Sequence, residues 1–223
     1  MLGLTAPAVV YNGAGVYCPI EDRLIATITL PPPMVTALLA YAAQTDLLPI
    51  VAQPDGRQLS REGRTPEERR VLTDFRTLEI LPEDALPSED ALRVTLLSAH
   101  HPDSKALCTE IKPIATPAYL THFPLSVLPR FRDSRLQIVD VQPDCAGKAE
   151  AFPVLLERFG VPKARVVAVG DENNDLPMLR EAGLGVAMGN GSPSAKRTAA
   201  RVIGDNNSDA LGALIEELFL GGS

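Results

Sequence analysis

The sequence predicts an α/β protein in two parts: a parallel-sheet core built from both ends of the chain, and an α+β section inserted between them. Two observations carry this expectation. From residue 147 onward helices and strands alternate in short units, and such repeats build a parallel sheet with right-handed crossovers. Between 18 and 137 strands and short helices follow in irregular order, as in an α+β unit. The implied boundaries are 1–17 plus 138–223 for the discontinuous core and 18–137 for the insertion.

Ala8-Val9-Val10-Tyr11 is short, β-branched and stopped by Asn12-Gly13, which reads as a buried strand. Leu24 to Leu30 gives a second strand, ended by Pro31-Pro32-Pro33. Apolar residues at 34, 35, 38, 39 and 42 predict a helix over Met34 to Gln44. Leu47 to Ala52 follows as a strand. Residues 57 to 90 are polar and broken by prolines, but Thr65-Pro66-Glu67-Glu68 opens a helix, with a capping hydroxyl, a first-position proline and acids in the first turn. Leu92 to Leu97, Tyr119 to Phe123 and Leu136 to Val139 read as strands, and Ser104 to Ile111 as a helix. The final section alternates: helix Lys148 to Phe159, strand Arg165 to Val169, helix Asp175 to Ala182, strand Gly185 to Ala187. A short helix after Pro193, strand Val202-Ile203 and helix Ser208 to Leu218 complete it.

Composition narrows the function. The formal charge is −7 and no run of five like charges occurs, so no basic stripe is offered to nucleic acid. Cys18, Cys108 and Cys145 are scattered without a Cys-x-x-Cys spacing, which fits a reducing compartment. No basic residue precedes Arg23 and no apolar stretch approaches a membrane span, so a cytoplasmic protein is expected.

The sharpest local feature is Val167-Ala168-Val169-Gly170-Asp171-Glu172-Asn173-Asn174-Asp175. A strand ends in Gly170-Asp171 and a helix begins near Asn174-Asp175. Carboxyl ends of parallel strands form the crevice where ligands bind. Asp171 and Asp175, four apart across that turn, can aim at one point with the Asn174 amide. Such an oxygen set suits Mg2+, which keeps several waters and is often shared with a substrate phosphate. The alternative is that Asn174 or Asp175 only caps the helix. Lys148, at the opening of a helix after Gly147, places a mobile charge where a phosphate oxygen could be held; alternatively it is a solvated surface lysine. Gly183 to Gly191 has the wrong spacing for a dinucleotide fingerprint, and its glycines let the backbone turn with Asn190 reaching the same crevice. His100, His101 and His122 lack partners at metal-ligand spacing.

Gly147-Lys148, Gly170-Asp171-x-x-Asn174-Asp175 and Val186-Ala187-Met188-Gly189-Asn190, in this order and spacing, resemble the Cof-type members of the haloacid dehalogenase (HAD) superfamily. The match runs from Pro7 to the end. The resemblance implies an incomplete Rossmann-like core with a mobile α+β cap inserted, and a Mg2+-dependent phosphatase of small phosphorylated metabolites such as sugar phosphates. Its reaction passes through an aspartyl-phosphate. It implies that Lys148 steadies phosphate and nucleophile, that Asp171 and Asp175 form the acidic Mg2+ site with Asn174 in support, and that Asn190 lines the substrate pocket. The nucleophile of such enzymes lies in an Asp-x-Asp-Gly-Thr segment, which this sequence lacks. The chain as given is therefore expected to be inactive by itself, or to be a non-catalytic, regulatory binder of phosphorylated ligands. Without the strands that carry that segment, Arg165 to Val169 is expected to expose a sheet edge through which two copies could dimerise.

Overall fold

The computed structural model describes residues 7–75, 77–144 and 147–221. The chain divides into two units, 1–145 and 146–223.

In the first unit, β1 (Ala8–Val10), β2 (Gly15–Cys18) and β3 (Arg23–Thr27) form an antiparallel sheet in that order. Helix α1 (Pro32–Thr45) starts on its prolines, whose missing N–H groups would have been unpaired there, and ends at Asp46 in a left-handed conformation. There follow β4 (Leu48–Ala52), β5 (Gln58–Ser60), α2 (Pro66–Leu72), β6 (Leu78–Ile80), β7 (Arg93–Ser98), α3 (Ser104–Ala115), β8 (Tyr119–Pro124) and β9 (Gln137–Gln142). The six strands β4–β9 make one sheet, ordered β6-β5-β4-β7-β9-β8, in which only β5 and β6 run parallel.

Strand alternation sends neighbouring residues to opposite faces. Val51, Leu96 and Val139 pack with Leu38 of α1 and Leu107 and Ile111 of α3. Their neighbours Ile50, Leu97 and Ile138 pack on the other side with Val71 and Leu72 of α2, Leu125 and Phe131. The expected helix at Thr65 forms, with Thr65 Oγ1 accepting from Glu68 N–H at 3.1 Å. That cap brings the buried Glu68 carboxylate to 3.2 Å from Arg61, itself only 3% exposed. Arg61 also donates to the carbonyls of Leu47 (3.0 Å) and Glu62 (2.8 Å) and lies 3.2 Å from Glu83.

The second unit begins with a 3-10 turn, Gly147–Glu150, leading into α4 (Ala151–Phe159). Strand β10 (Val167–Gly170) is followed by a 3-10 turn, Asn173–Asp175, and α5 (Leu176–Glu181). Then come β11 (Leu184–Ala187), α6 (Pro193–Thr198), β12 (Arg201–Val202), α7 (Ala210–Ile215) and a wider turn, Glu216–Gly221. The sheet β10-β11-β12 is parallel, with Val167 opposite Leu184 and Gly170 opposite Ala187. Among the described residues β10 pairs on one side only. The core cluster of this unit is Ala168, Leu179, Ala187 and Ala195. The largest fully buried side chains, among them Leu38, Leu96 and Ile111, belong to the first unit.

The Ala8 strand pairs antiparallel with β2, and β9 is hydrogen-bonded on both sides, by β7 and β8. Both therefore group with the first unit rather than with the C-terminal parallel sheet.

Candidate active site

Strand β10 ends at Gly170, whose carbonyl still accepts from Met188 N–H at 3.0 Å. Beyond it the chain turns sharply, because Glu172 and Asp175 form a reciprocal capping box: each side chain accepts the other's backbone N–H. Asp175 is fully buried. Its Oδ2 accepts from the N–H groups of Asp171 (2.8 Å) and Glu172 (3.1 Å), and its Oδ1 accepts from Lys148 Nζ at 2.5 Å. Burial alone would raise the Asp175 pKa. The Lys148 ammonium and the two N–H donors outweigh it and hold the carboxyl below its ordinary value. The Lys148 side chain is 41% exposed against 1% for Asp175, so the ammonium reaches from solvent onto a buried anion.

Gly170 is required by this packing. A Cβ there would stand 2.5 Å from Asp175 Cβ and 2.6 Å from its Cγ. Gly170→Ala is expected to push Asp175 off Lys148 and cost about 1–3 kcal/mol, as over-packing does; urea unfolding followed at the second unit checks it.

Asp171 is pinned through its main chain. Its N–H donates to Asp175, and its C=O accepts from Ser192 N–H at 2.7 Å. Its carboxylate, in contrast, has no hydrogen bond or ion pair among the described residues, beside a turn where the neighbouring acid is fully engaged. Asn174 sits half-buried in the same turn. No three His, Cys, Asp or Glu side chains gather into a closed ligand set among the described residues. A single open carboxylate beside an amide fits Mg2+, which takes one or two protein oxygens and completes its shell with water and phosphate.

The structure thus brings Lys148, Asp171 and Asp175 together. Both oxygens of Asp175 are engaged, Oδ2 by two backbone N–H groups and Oδ1 by the Lys148 ammonium. Asn190 differs from expectation. Its Nδ2 donates to Asn206 Oδ1 (2.8 Å) and its Oδ1 accepts from Asn206 N–H (3.0 Å), so its amide is spent on the 204–209 loop. Sequence reasoning missed Glu172, which closes the capping box, and Asn206, which holds the Asn190 amide.

His101 and His122 have structural partners. His101 lies between Ser98 (2.7 Å) and Glu110 (2.9 Å), and His122 meets Ser104 at 3.0 Å. Cys18 and Cys108 are free thiols, and Cys145 lies outside the described residues. A cavity of about 780 Å3 in the first unit is lined by Tyr11, Tyr17, Arg93, Thr121, Asp140 and Gln142 among others. It holds none of the residues expected in the active site.

The chain is similar to known proteins. The chain is 38% identical over 82 residues to the 5-amino-6-(5-phospho-D-ribitylamino)uracil phosphatase YitU of Bacillus subtilis (strain 168), covering 37% of this chain and 30% of that protein. In the next two curated relatives the match covers 33% of their length, so the chain spans only a part of each. A solved protein from Geobacillus kaustophilus HTA426 superposes on 98% of this chain and 78% of its own, at TM-score 0.72 and 22% identity. The HAD subclass IIB sugar phosphatase BT4131 covers 95% of this chain and 75% of its own, at TM-score 0.69 and 17% identity. The α/β fold with its parallel sheet is therefore that of the HAD Rossmann-like core. The model of the haloacid dehalogenase-like hydrolases matches residues 1–215, carrying the lysine, the Gly-Asp turn and the loop after it in order, and the chain belongs to that family.

Proposed function

We propose that the protein serves as a Mg2+-dependent phosphoric monoester hydrolase for small phosphorylated metabolites such as sugar phosphates. The observation that carries this reading is the Asp171 carboxylate, unpartnered among the described residues and held in direction by a main chain fixed on both sides. Lys148 supports it: one ammonium hydrogen goes to Asp175, and two remain for phosphate oxygens. Mg2+, held by Asp171 with Asn174 in support, would neutralise the charge that gathers on a transferring phosphoryl group. The chain's own residues hold and orient the phosphate; Asp175 keeps Lys148 in place and is too enclosed to meet the substrate itself. Relatives named as phosphatases of phosphorylated ribityl compounds and sugars agree with a small polar substrate.

The 223 residues contain no Asp-x-Asp pair, so the chain supplies the cation- and phosphate-holding side of such a site. A non-catalytic binder of phosphorylated ligands has the same fact in its favour. The first unit is proposed as the substrate-selecting cap, and the open edge of β10 as the place where a second copy would pair.

The experiment combines binding and turnover. Calorimetric titration of this chain with Mg2+ should give a binding heat that Asp171→Ala abolishes, while p-nitrophenyl phosphate with Mg2+ is hydrolysed no faster than background. Unchanged binding in Asp171→Ala would overturn the site; robust hydrolysis lost in the same variant would overturn the expectation of inactivity.

A further inference from the structure

The turn after β11, which supplies the Ser192 N–H that fixes the Asp171 carbonyl, is itself held in place by a residue of α6. Between β11 and α6 the chain passes through Met188–Ser192 and lies directly on the Asp171 main chain. Ser192 N–H donates to Asp171 O at 2.7 Å. Gly191 is so close that an added Cβ would stand 2.9 Å from Asp171 O and 3.1 Å from Asp171 Cα. The far end of the turn is held by Lys196, the fourth residue of α6, whose Nζ donates to Gly189 O at 3.1 Å. Lys196 forms no ion pair among the described residues, in a protein with an excess of acids. Its ammonium is directed instead to a neutral carbonyl, and a charge-assisted hydrogen bond of this kind is about twice as strong as a neutral one. The Lys196 N–H bonds Ser192 O at 3.1 Å, so one residue grips the turn at Gly189 and at Ser192.

We infer that Lys196 is a positioning residue for the metal site: it fixes the Met188–Ser192 turn, and through Ser192 N–H and the Gly191 contact the turn fixes how Asp171 presents its carboxylate. The inference rests on Asp171 being the Mg2+ ligand. Its chemistry is that of groups that orient a ligand from behind, whose removal weakens metal affinity without touching the metal.

The test measures Mg2+ affinity by calorimetry on the whole chain, with amide hydrogen exchange at Ser192 as a second readout. Lys196→Met should weaken Mg2+ binding roughly tenfold or more and speed exchange of the Ser192 amide, with the far-UV circular dichroism unchanged. Lys196→Arg, which still carries a donor to Gly189 O, should recover most of the affinity. Wild-type Mg2+ affinity in Lys196→Met, while Asp171→Asn loses binding, would overturn the positioning role and leave the metal site standing. Wild-type affinity in Asp171→Asn would instead overturn the metal-site reading. Should Lys196→Met not fold, Gly191→Ala probes the same link: the added methyl is expected to displace Asp171 and weaken binding, and an unchanged affinity overturns the inference.

Discussion

Asp175→Ala should destabilise the second unit by about 1–3 kcal/mol, the range for stranding hydrogen-bond donors beside a buried acceptor. The carboxylate that disappears serves three donors at once. The N–H groups of Asp171 and Glu172 would lose their acceptor, and Lys148 its anchor. Alanine would also leave a gap against Gly170, which is a glycine because Asp175 fills that space. Hydrogen exchange should find the Asp171 and Glu172 amides unprotected, while the sheet of the first unit stays closed. A loss below about 1 kcal/mol would mean that the cluster contributes no more than an exposed ion pair.

The same pair sets a pH signature. The folded pKa of Asp175 lies below its unfolded value, so its contribution is fully present above about 3.9, the ordinary carboxylate value. It is lost as pH falls through the lower, folded value. The stability gap between wild type and Asp175→Ala should be flat from neutral to mildly acidic pH and narrow only below that range.

Arg61→Ala should destabilise the first unit by about 3–5 kcal/mol. Arg61 lies beneath the surface, donating to Glu68 and to the carbonyls of Leu47 and Glu62, with the carboxylates of Glu83 and Asp46 at 3.2 and 3.7 Å. Deleting it leaves the Glu68 carboxylate, 4% exposed, with one strong donor, Arg64 N–H at 2.7 Å. The harm comes from the stranded anion more than from the lost attraction. Arg61→Met combined with Glu68→Leu should therefore recover much of what Arg61→Ala loses, because neither charge is then buried alone. Guanidinium unfolding of the two variants decides it, and a double variant no better than the single would contradict the argument.

Much of this was legible in the sequence, and the parts that were not have a common cause. Helices α1 and α3 and strands β4, β7 and β9 are apolar at their own period, so pattern alone located them. The Gly147-Lys148 and Gly170-Asp171 motifs were readable because strand, turn and helix spacing limits where their side chains go. Strands β5 and β6 were not, because three-residue strands at a sheet edge carry no period long enough to see. The Arg61–Glu68 pair was not legible: Glu68 reads as a first-turn acid of its helix and Arg61 as part of a polar stretch, and the sequence does not state that they are paired. Asn190 was assigned to the crevice because its neighbours are there, while its partner Asn206 lies 16 positions away and is reached only through the turn of the sheet. Asp175 was assigned to the ion because carboxylates four apart suggest a shared target; that one of its oxygens takes two backbone donors and the other the Lys148 ammonium is a matter of coordinates.

The slender interior of the second unit has a thermodynamic corollary. Its core cluster is three alanines and a leucine, with Leu176 and Met178 partly buried against it, so the polar contacts around Asp175 add to a small apolar interior. Whatever docks there acts on the folding equilibrium as well as on chemistry: an occupant at a hundred times its dissociation constant adds about 2.7 kcal/mol by mass action. Mg2+ or phosphate bound at the proposed site would therefore be expected to raise the stability of this unit.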